Sequence, residues 1–358
     1  RTVSHNNFNQ KIMKRLFLIL TVSVLLIQFV KANDAILNGK GSTLLPTTET
    51  DIEIIKEDLT LIHSSYGLKV NVYFEFFNPG EAKSLTVGFI TPPLYSPEVS
   101  PEDDIYNRVP DIREFIVIAN GFKQPYDRVI LDETEFDFLK TKRKGETFIY
   151  YFTMHFKKGL NTIYHHYEYS GNRYSMGGAS YDYILTSGTY WGNKQIDDFS
   201  LKIDMGPHSL FGISFDENYI DKFKIVGSGR QDSSSYFIRD GYLELKVKNF
   251  KPTKELTIGI GSSKFGDYSS YDSDYYKMNF ADEETLRKLS KKELRLLRNN
   301  FFAEKCYKFN DSELLTYYSQ FFWYLPYENL SSTEVFNSFD DRTKDRIELI
   351  KRIEDEKD

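Results

Sequence analysis

The sequence predicts an α+β chain that is mainly β: an antiparallel β-sandwich followed by a small all-helical domain. Three observations carry this. Apolar and polar residues alternate with period two from about residue 50 to 262. Beyond residue 281 the apolar spacing becomes helical. Aromatics make up 16% of the chain, with 26 Tyr and 29 Phe, and such side chains favour strands. At 358 residues the chain has the length of roughly two domains.

The first segment reads as an address. Residues 1–12 are polar and patternless, so the reading assigns 1–12 to upstream readthrough and 13–32 to a signal peptide that starts at Met13. Lys14-Arg15 is a basic n-region, 16–30 is an apolar h-region, and Val30-Lys31-Ala32 is a small-residue end suited to cleavage. The apolar run has 15 residues, short of the roughly 18–20 that a spanning helix needs, so cleavage is expected over retention as an anchor. No later run is long and apolar enough to span a bilayer. Cys306 is the sole cysteine and lies far from the cleavage point. That excludes a lipoprotein, a disulfide framework and a Cys-rich zinc module. Across the chain 46 Lys+Arg face 52 Asp+Glu, for a net charge of −6. Residues 1–32 hold five of the basic residues and no acid, which leaves 41 against 52, or −11, after cleavage. An exported acidic chain does not seek nucleic acid or anionic lipid.

Residues 33–262 form the expected sandwich. In 68–76, Leu68, Val70, Val72, Phe74 and Phe76 share one face, and Lys69, Asn71, Tyr73 and Glu75 share the other. Asn78-Pro79-Gly80 breaks the strand, and 84–91 is expected to return antiparallel beside it. Segments 113–119 and 125–131 flank Asn120-Gly121, a strong hairpin signal. Phe148, Tyr150, Phe152, Met154 and Phe156 alternate with polar positions, as do Phe199, Leu201 and Ile203, then Leu243, Leu245 and Val247, then Leu256, Ile258 and Ile260. Many short strands without intervening helices mean antiparallel sheets. The proline-rich stretch 92–110 reads as a surface loop.

Residues 263–281 lose periodicity and read as a linker. In 282–358, Ser290 and Glu293 form a capping box, and Leu294, Leu297 and Phe301 fall on one stripe. Asn310 and Glu313 suggest a second box ahead of Leu314, Leu315 and Tyr318. Pro326 closes that unit, and 340–357 makes a last helix with Ile347, Ile350 and Ile353 inward.

The C-terminal text, with Leu294-Arg295-Leu296-Leu297-Arg298-Asn299, Ala303, Tyr307, Phe309, Leu314, Tyr318, Trp323-Tyr324 and Pro326, resembles the YARHG domain, a small helical module of secreted or envelope bacterial proteins. The resemblance covers about 285–355 and marks Arg298, Asn299, Tyr307, Trp323 and Tyr324 as structural signature residues. Where the family has its naming pentapeptide, this chain has Phe302-Ala303-Glu304-Lys305-Cys306. The resemblance implies that Cys306 replaces a glycine in a left-handed helix-ending position, at a cost of about 1 kcal/mol. It implies no catalytic role. Roughly 33–262, with NDAILNGKGSTLL, DIEIIKEDLTL and YILTSGTYWGNKQIDDFSLKI, is similar to a β-rich secreted bacterial domain family of unknown function.

Candidate chemistry is sparse. Gly39-Lys40-Gly41-Ser42-Thr43 evokes a phosphate loop but lacks its frame and its strand–helix context. With a turn at Lys158-Gly159, His155 pairs with Thr162 and His166 with Tyr151, about 13 Å apart, too far to share a metal. A one-residue slip would bring His165 to about 7 Å from His155. No nucleophile elbow is present, and Cys306 at a helix C-terminus is poorly placed to ionise. Asp103-Asp104, Asp197-Asp198 and Asp340-Asp341 read as solvated loop carboxylates. The aromatic stretch 164–191 surrounds a Gly-rich loop, and Tyr174, Tyr190 and Trp191 are its candidate ligand-binding residues, by stacking on sugar rings or peptides. The competing reading is cross-strand packing.

These observations favour a non-enzymatic extracytoplasmic protein, periplasmic or extracellular. It would bind or assemble an envelope polymer or protein, without cofactor, metal or nucleic acid. The alternative is an envelope hydrolase that uses loop carboxylates.

Overall fold

The computed structural model describes residues 40–42, 45–46, 50–91, 112–130, 148–173, 178–261 and 281–357. The signal segment, the proline-rich stretch, the linker and Tyr174 lie outside the described residues. The strands in chain order are β1 (Lys40–Ser42), β2 (Leu45–Pro46), β3 (Glu53–His63), β4 (Leu68–Asn78), β5 (Lys83–Thr91), β6 (Arg113–Ala119), β7 (Phe122–Lys123), β8 (Asp127–Ile130) and β9 (Phe148–Phe156). They continue with β10 (Gly159–Tyr169), β11 (Asn172–Arg173), β12 (Ala179–Ile184), β13 (Ile196–Asp204), β14 (Ser209–Ser214), β15 (Lys224–Asp232), β16 (Ser235–Phe250) and β17 (Leu256–Ile260).

Alternation places the core as expected. Leu68, Val70, Val72, Phe74 and Phe76 of β4 are fully buried, as are Phe199 and Ile203 of β13. The large sheet runs β1-β12-β17-β14-β16-β13-β3-β4-β10-β6-β7, with β11 on β12 and β15 on β16. The second sheet runs β2-β5-β9-β8. One apolar core joins them, with Val87, Phe89 and Phe152 from the second sheet and Phe74, Phe76 and Tyr167 from the first. Pairing is antiparallel except between β3 and β13 and between β1 and β12, which run parallel.

Two expected hairpins are corrected. The strand β5 pairs with β9 over nine residues, not with β4, and β9 does not pair with β10. Both connections cross from one sheet to the other, which is how a sandwich turns its corners. Buried asparagines hold these corners. Asn78 donates to Glu81 O at 2.9 Å and Phe156 O at 3.3 Å. Asn161 donates to Lys157 O at 2.8 Å and Gly159 O at 2.9 Å, and accepts from Lys157 N at 3.0 Å. The Asn120-Gly121 turn forms as expected, with φ of 49° and 85°, the left-handed pair that a two-residue hairpin needs. It joins β6 only to the short β7, while β8 leaves for the second sheet.

Five helices follow: α1 (Glu283–Arg287), α2 (Lys291–Glu304), α3 (Ser312–Tyr318), α4 (Ser332–Asn337) and α5 (Asp341–Asp355). The Ser290–Glu293 box forms at the start of α2. At α3 the cap shifts by one residue. Asp311 accepts from Leu314 N at 2.9 Å, so it takes the capping place expected of Asn310. A second box forms instead at Ser331 and Glu334. Leu294, Leu297 and Phe301 pack against Ile347, Ile350 and Ile353, as their spacing predicts. Among the described residues no helix is long and apolar enough to cross a membrane.

Strands and helices meet at a bulge in β16. The register against β15 skips Arg239, which re-aims its side chain. Arg239 Nη1 donates to Leu325 O at 3.2 Å and Pro326 O at 2.8 Å, and its guanidinium lies 4.2 Å from the Tyr327 ring centre. Tyr327 donates its hydroxyl to Asp240 at 2.6 Å and its amide to Cys306 O at 2.9 Å.

Candidate binding surface

Of the three residues chosen from the sequence, Trp191 and Tyr190 are described. Trp191 is fully buried, with Phe76 at 4.4 Å and Phe156 at 6.1 Å between ring centres. The expectation of an exposed tryptophan is therefore corrected. Its glycine neighbours are there for close packing. A Cβ on Gly192 would come within 2.6 Å of the Asp51 backbone, and one on Gly188 within 2.9 Å of Ile196. Tyr190 is half-buried at the end of a 3-10 turn (Thr186–Tyr190), and burial, with Glu255 nearby, raises its phenol pKa. Tyr174 lies outside the described residues.

The histidines separate as well. His155 is on β9 in the second sheet, where Ser84 Oγ lies 3.3 Å from its Nδ1. His166 is on the outer face of β10, 2.9 Å from Asn71 Oδ1. His165 points into the core. Among the described residues no group of three or more His, Cys, Asp or Glu is placed to hold a metal. Lys40–Ser42, in the phosphate-loop look-alike, is a strand parallel to β12.

Cys306 has φ of 56°, the left-handed position expected where the family carries glycine. It is fully buried, and burial pushes its thiol up to about 11. The signature residues make contacts within the helical domain. Arg298 pairs with Glu354 at 2.7 Å. Asn299 donates to Arg295 O at 2.7 Å. Tyr324 is fully buried and donates to Tyr307 O at 2.7 Å. Trp323 is only half-buried, stacked on Phe321 at 5.5 Å, while Tyr318 and Tyr324 are the fully buried aromatics there.

Several described carboxylates already have partners. Asp197 accepts from Asn193 and Gln195, and Asp198 pairs with Lys248 at 2.7 Å. Asp340 caps α5. Glu168 takes hydrogen bonds from Ser64 and Arg113; burial raises its carboxyl, but these partners outweigh it and the net shift is down. For Asp216, burial is likewise outweighed by Thr253 and Asn218. Glu255 accepts from Leu185 N at 2.6 Å and Thr186 N at 3.1 Å.

The surface that does assemble is the outer face of the large sheet, which includes the polar face of residues 68–76. One row runs Ile118, Tyr164, Tyr73, Asp58, Ser200, Lys246 directly across β6, β10, β4, β3, β13 and β16. The next row runs Ile116, His166, Asn71, Thr60, Lys202, Glu244. At about 4.8 Å per strand, six strands give a platform about 24 Å wide. Tyr164 donates to Asn71 at 2.9 Å and Tyr73 to Glu75 at 3.2 Å. Lys202 lies 4.1 Å from the Tyr242 ring centre. Lys56–Asp58, Lys202–Asp204 and Lys246–Glu244 form ion pairs at 2.9, 3.5 and 2.8 Å, so the charge of this face is locally balanced. The face is open to water: the Asp58 side chain is 40% exposed and that of Lys246 68%.

No curated protein matches the chain. A solved structure from Legionella pneumophila, provisionally named a nutrient binding protein, is similar in fold. It has a TM-score of 0.52 at 20% identity, with 90% of this chain and all of that one covered. An aminopeptidase A from the same organism gives a TM-score of 0.28 at 9% identity, over 61% of this chain and 23% of that one, too low to support a structural argument. The YARHG domain model matches residues 269–355, the stretch that holds α1 to α5, so this chain carries a YARHG domain at the end of its β-rich body.

Proposed function

We propose that the chain is an exported, non-catalytic binding module of the bacterial cell envelope, and that its partner, an envelope polymer or protein, seats on the outer face of the large sheet. The single observation that carries this is the platform itself: two register-aligned rows of hydroxyl, amide, imidazole and paired charge, with Tyr73 and Tyr164 side by side at its centre. Half-buried tyrosines beside hydrogen-bonding groups offer rigid contact area at low entropic cost. Balanced charge gives no basic stripe for nucleic acid. The hydrogen-bonded and ion-paired state of Asp197, Asp198, Glu168, Asp216 and Glu255 supports binding over hydrolysis. The binding-protein name of the similar fold points the same way. The leader-like segment before Asn33 supports export, and the position of Cys306 supports a form without a lipid anchor.

The test is retention of the exported chain on envelope fractions, comparing wild type with a Tyr73→Ala/Tyr164→Ala double variant whose circular dichroism is unchanged. Loss of an anchor pair worth about 1–2 kcal/mol predicts a loss of retention of about 5- to 30-fold. Equal retention would place the partner elsewhere.

A further inference from the structure

The inner face of β10 carries a polar side chain where its pattern calls for an apolar one. Ile163, His165 and Tyr167 point inward in turn, and all are fully buried. His165 lies opposite Val72 on β4 and Val117 on β6. Phe74, Phe89 and Tyr167 meet its ring edge-on at 5.5, 5.7 and 5.7 Å, and Phe115 lies at 6.4 Å. Phe89 belongs to the second sheet and the other three to the large one, so the imidazole sits in the joint between sheets. Neither ring nitrogen has a hydrogen-bond partner among the described residues.

Buried polar groups are nearly always paired, so this arrangement is costly and asks for a role. The surroundings give an added proton no counter-charge. Val72 and Phe74 from β4, Phe115 and Val117 from β6, and Phe89 from β5 are apolar. Tyr150 of β9 meets Phe115 at 5.0 Å and Tyr126 at 5.5 Å, and Arg128 of β8 hydrogen-bonds to it. His166 points to the other face and further disfavours a charged His165. Glu168, on the same strand, is held by Arg113 and Ser64. Glu57 on β3 stands opposite Phe74, two strands from His165.

We propose that His165 is an acid trigger for the joint between the two sheets: the folded body excludes a proton from this ring, so mild acid weakens the joint. Burial, with His166 adding to it, holds the ring's pKa at about 3. The ring takes a proton near pH 6.5 once released. Between those values the unfolded chain holds one more proton than the folded one. The stability is therefore complete above about pH 6.5 and falls as pH falls, tenfold in folding constant per pH unit. His63 and His208 are also held low by burial and act in the same direction. The lowered carboxyls of Glu168, Asp216 and Asp240 contribute only below about pH 4.5. The window between pH 5 and 7 therefore belongs to the histidines.

The experiment is urea unfolding of the full exported chain at pH 7 and pH 5, with and without His165→Phe. Both carry Trp323→Phe, so that emission reports Trp191 in the same joint. Wild type should lose roughly 25-fold more in folding constant than the variant between the two pH values. Parallel losses would overturn the proposal. His165→Gln, uncharged at both pH values, serves if the phenylalanine variant does not fold. If neither folds, the imidazole is followed by NMR in wild type. A ring that stays neutral to pH 4 while the protein is folded supports the trigger, and one that titrates near 6.5 in the folded protein overturns it.

Discussion

Two tryptophans show what a sequence reveals at the scale of one residue. Trp191 sits among glycines and reads as a loop tip, yet Gly188 and Gly192 are there because Ile196 and the Asp51 backbone come too close for a Cβ. That approach joins positions far apart in sequence, so no local pattern shows it. Trp191→Ala is expected to destabilise the β-rich body by about 3–5 kcal/mol, as for a fully buried aromatic. Trp323→Ala, half-exposed, should cost about 1–2 kcal/mol. Urea unfolding of both variants checks the order, and equal costs would contradict it. Cys306 was more legible, because its glycine-like position predicted a left-handed φ that the structure shows. With its thiol buried and pushed up to about 11, a disulfide reagent at pH 8 should label it slowly in the folded chain and at once in urea. Fast labelling of folded protein would mean that the pocket opens.

At the scale of elements, periodicity located most strands and the main helices, but it misplaced partners. Alternation says which face of β4 is buried, whatever sheet its neighbour joins. The connections after β4 and β9 look like hairpin turns and are instead corners between sheets. Their marks are Asn78 and Asn161, whose amides satisfy carbonyls on the crossing chain. Asn78→Ala strands the Phe156 carbonyl and should cost about 1–3 kcal/mol in thermal or urea unfolding; a neutral effect would mean that the corner is held by packing alone. The bulge at Arg239 was likewise invisible, since its purpose lies in Leu325, Pro326 and Tyr327, about ninety residues on. Arg239→Ala is expected to leave circular dichroism unchanged while speeding protease cleavage between the β-rich body and the helices. Unchanged cleavage would show that the junction does not depend on the guanidinium.

For the molecule as a whole, the class was readable and the site was not. A period of two followed by a helical period gives a mainly β body with helices at its end, and the structure has that order. The platform is built from ordinary polar positions on six strands, each unremarkable in its own segment. Only the register brings Tyr73, Tyr164 and Asp58 into line. Export predicts that secreted or periplasmic material begins at Asn33 on N-terminal sequencing, and a chain that begins at Met13 in a membrane pellet would contradict cleavage. The claim that the outer face is the binding surface is tested most directly by oxidative footprinting of tyrosines with and without saturating envelope fraction. Binding there predicts protection of Tyr73, Tyr164 and Tyr242, with Tyr190 and Tyr317 unchanged. Protection confined to the helices or to Tyr190, with the platform tyrosines still fully reactive, would contradict it.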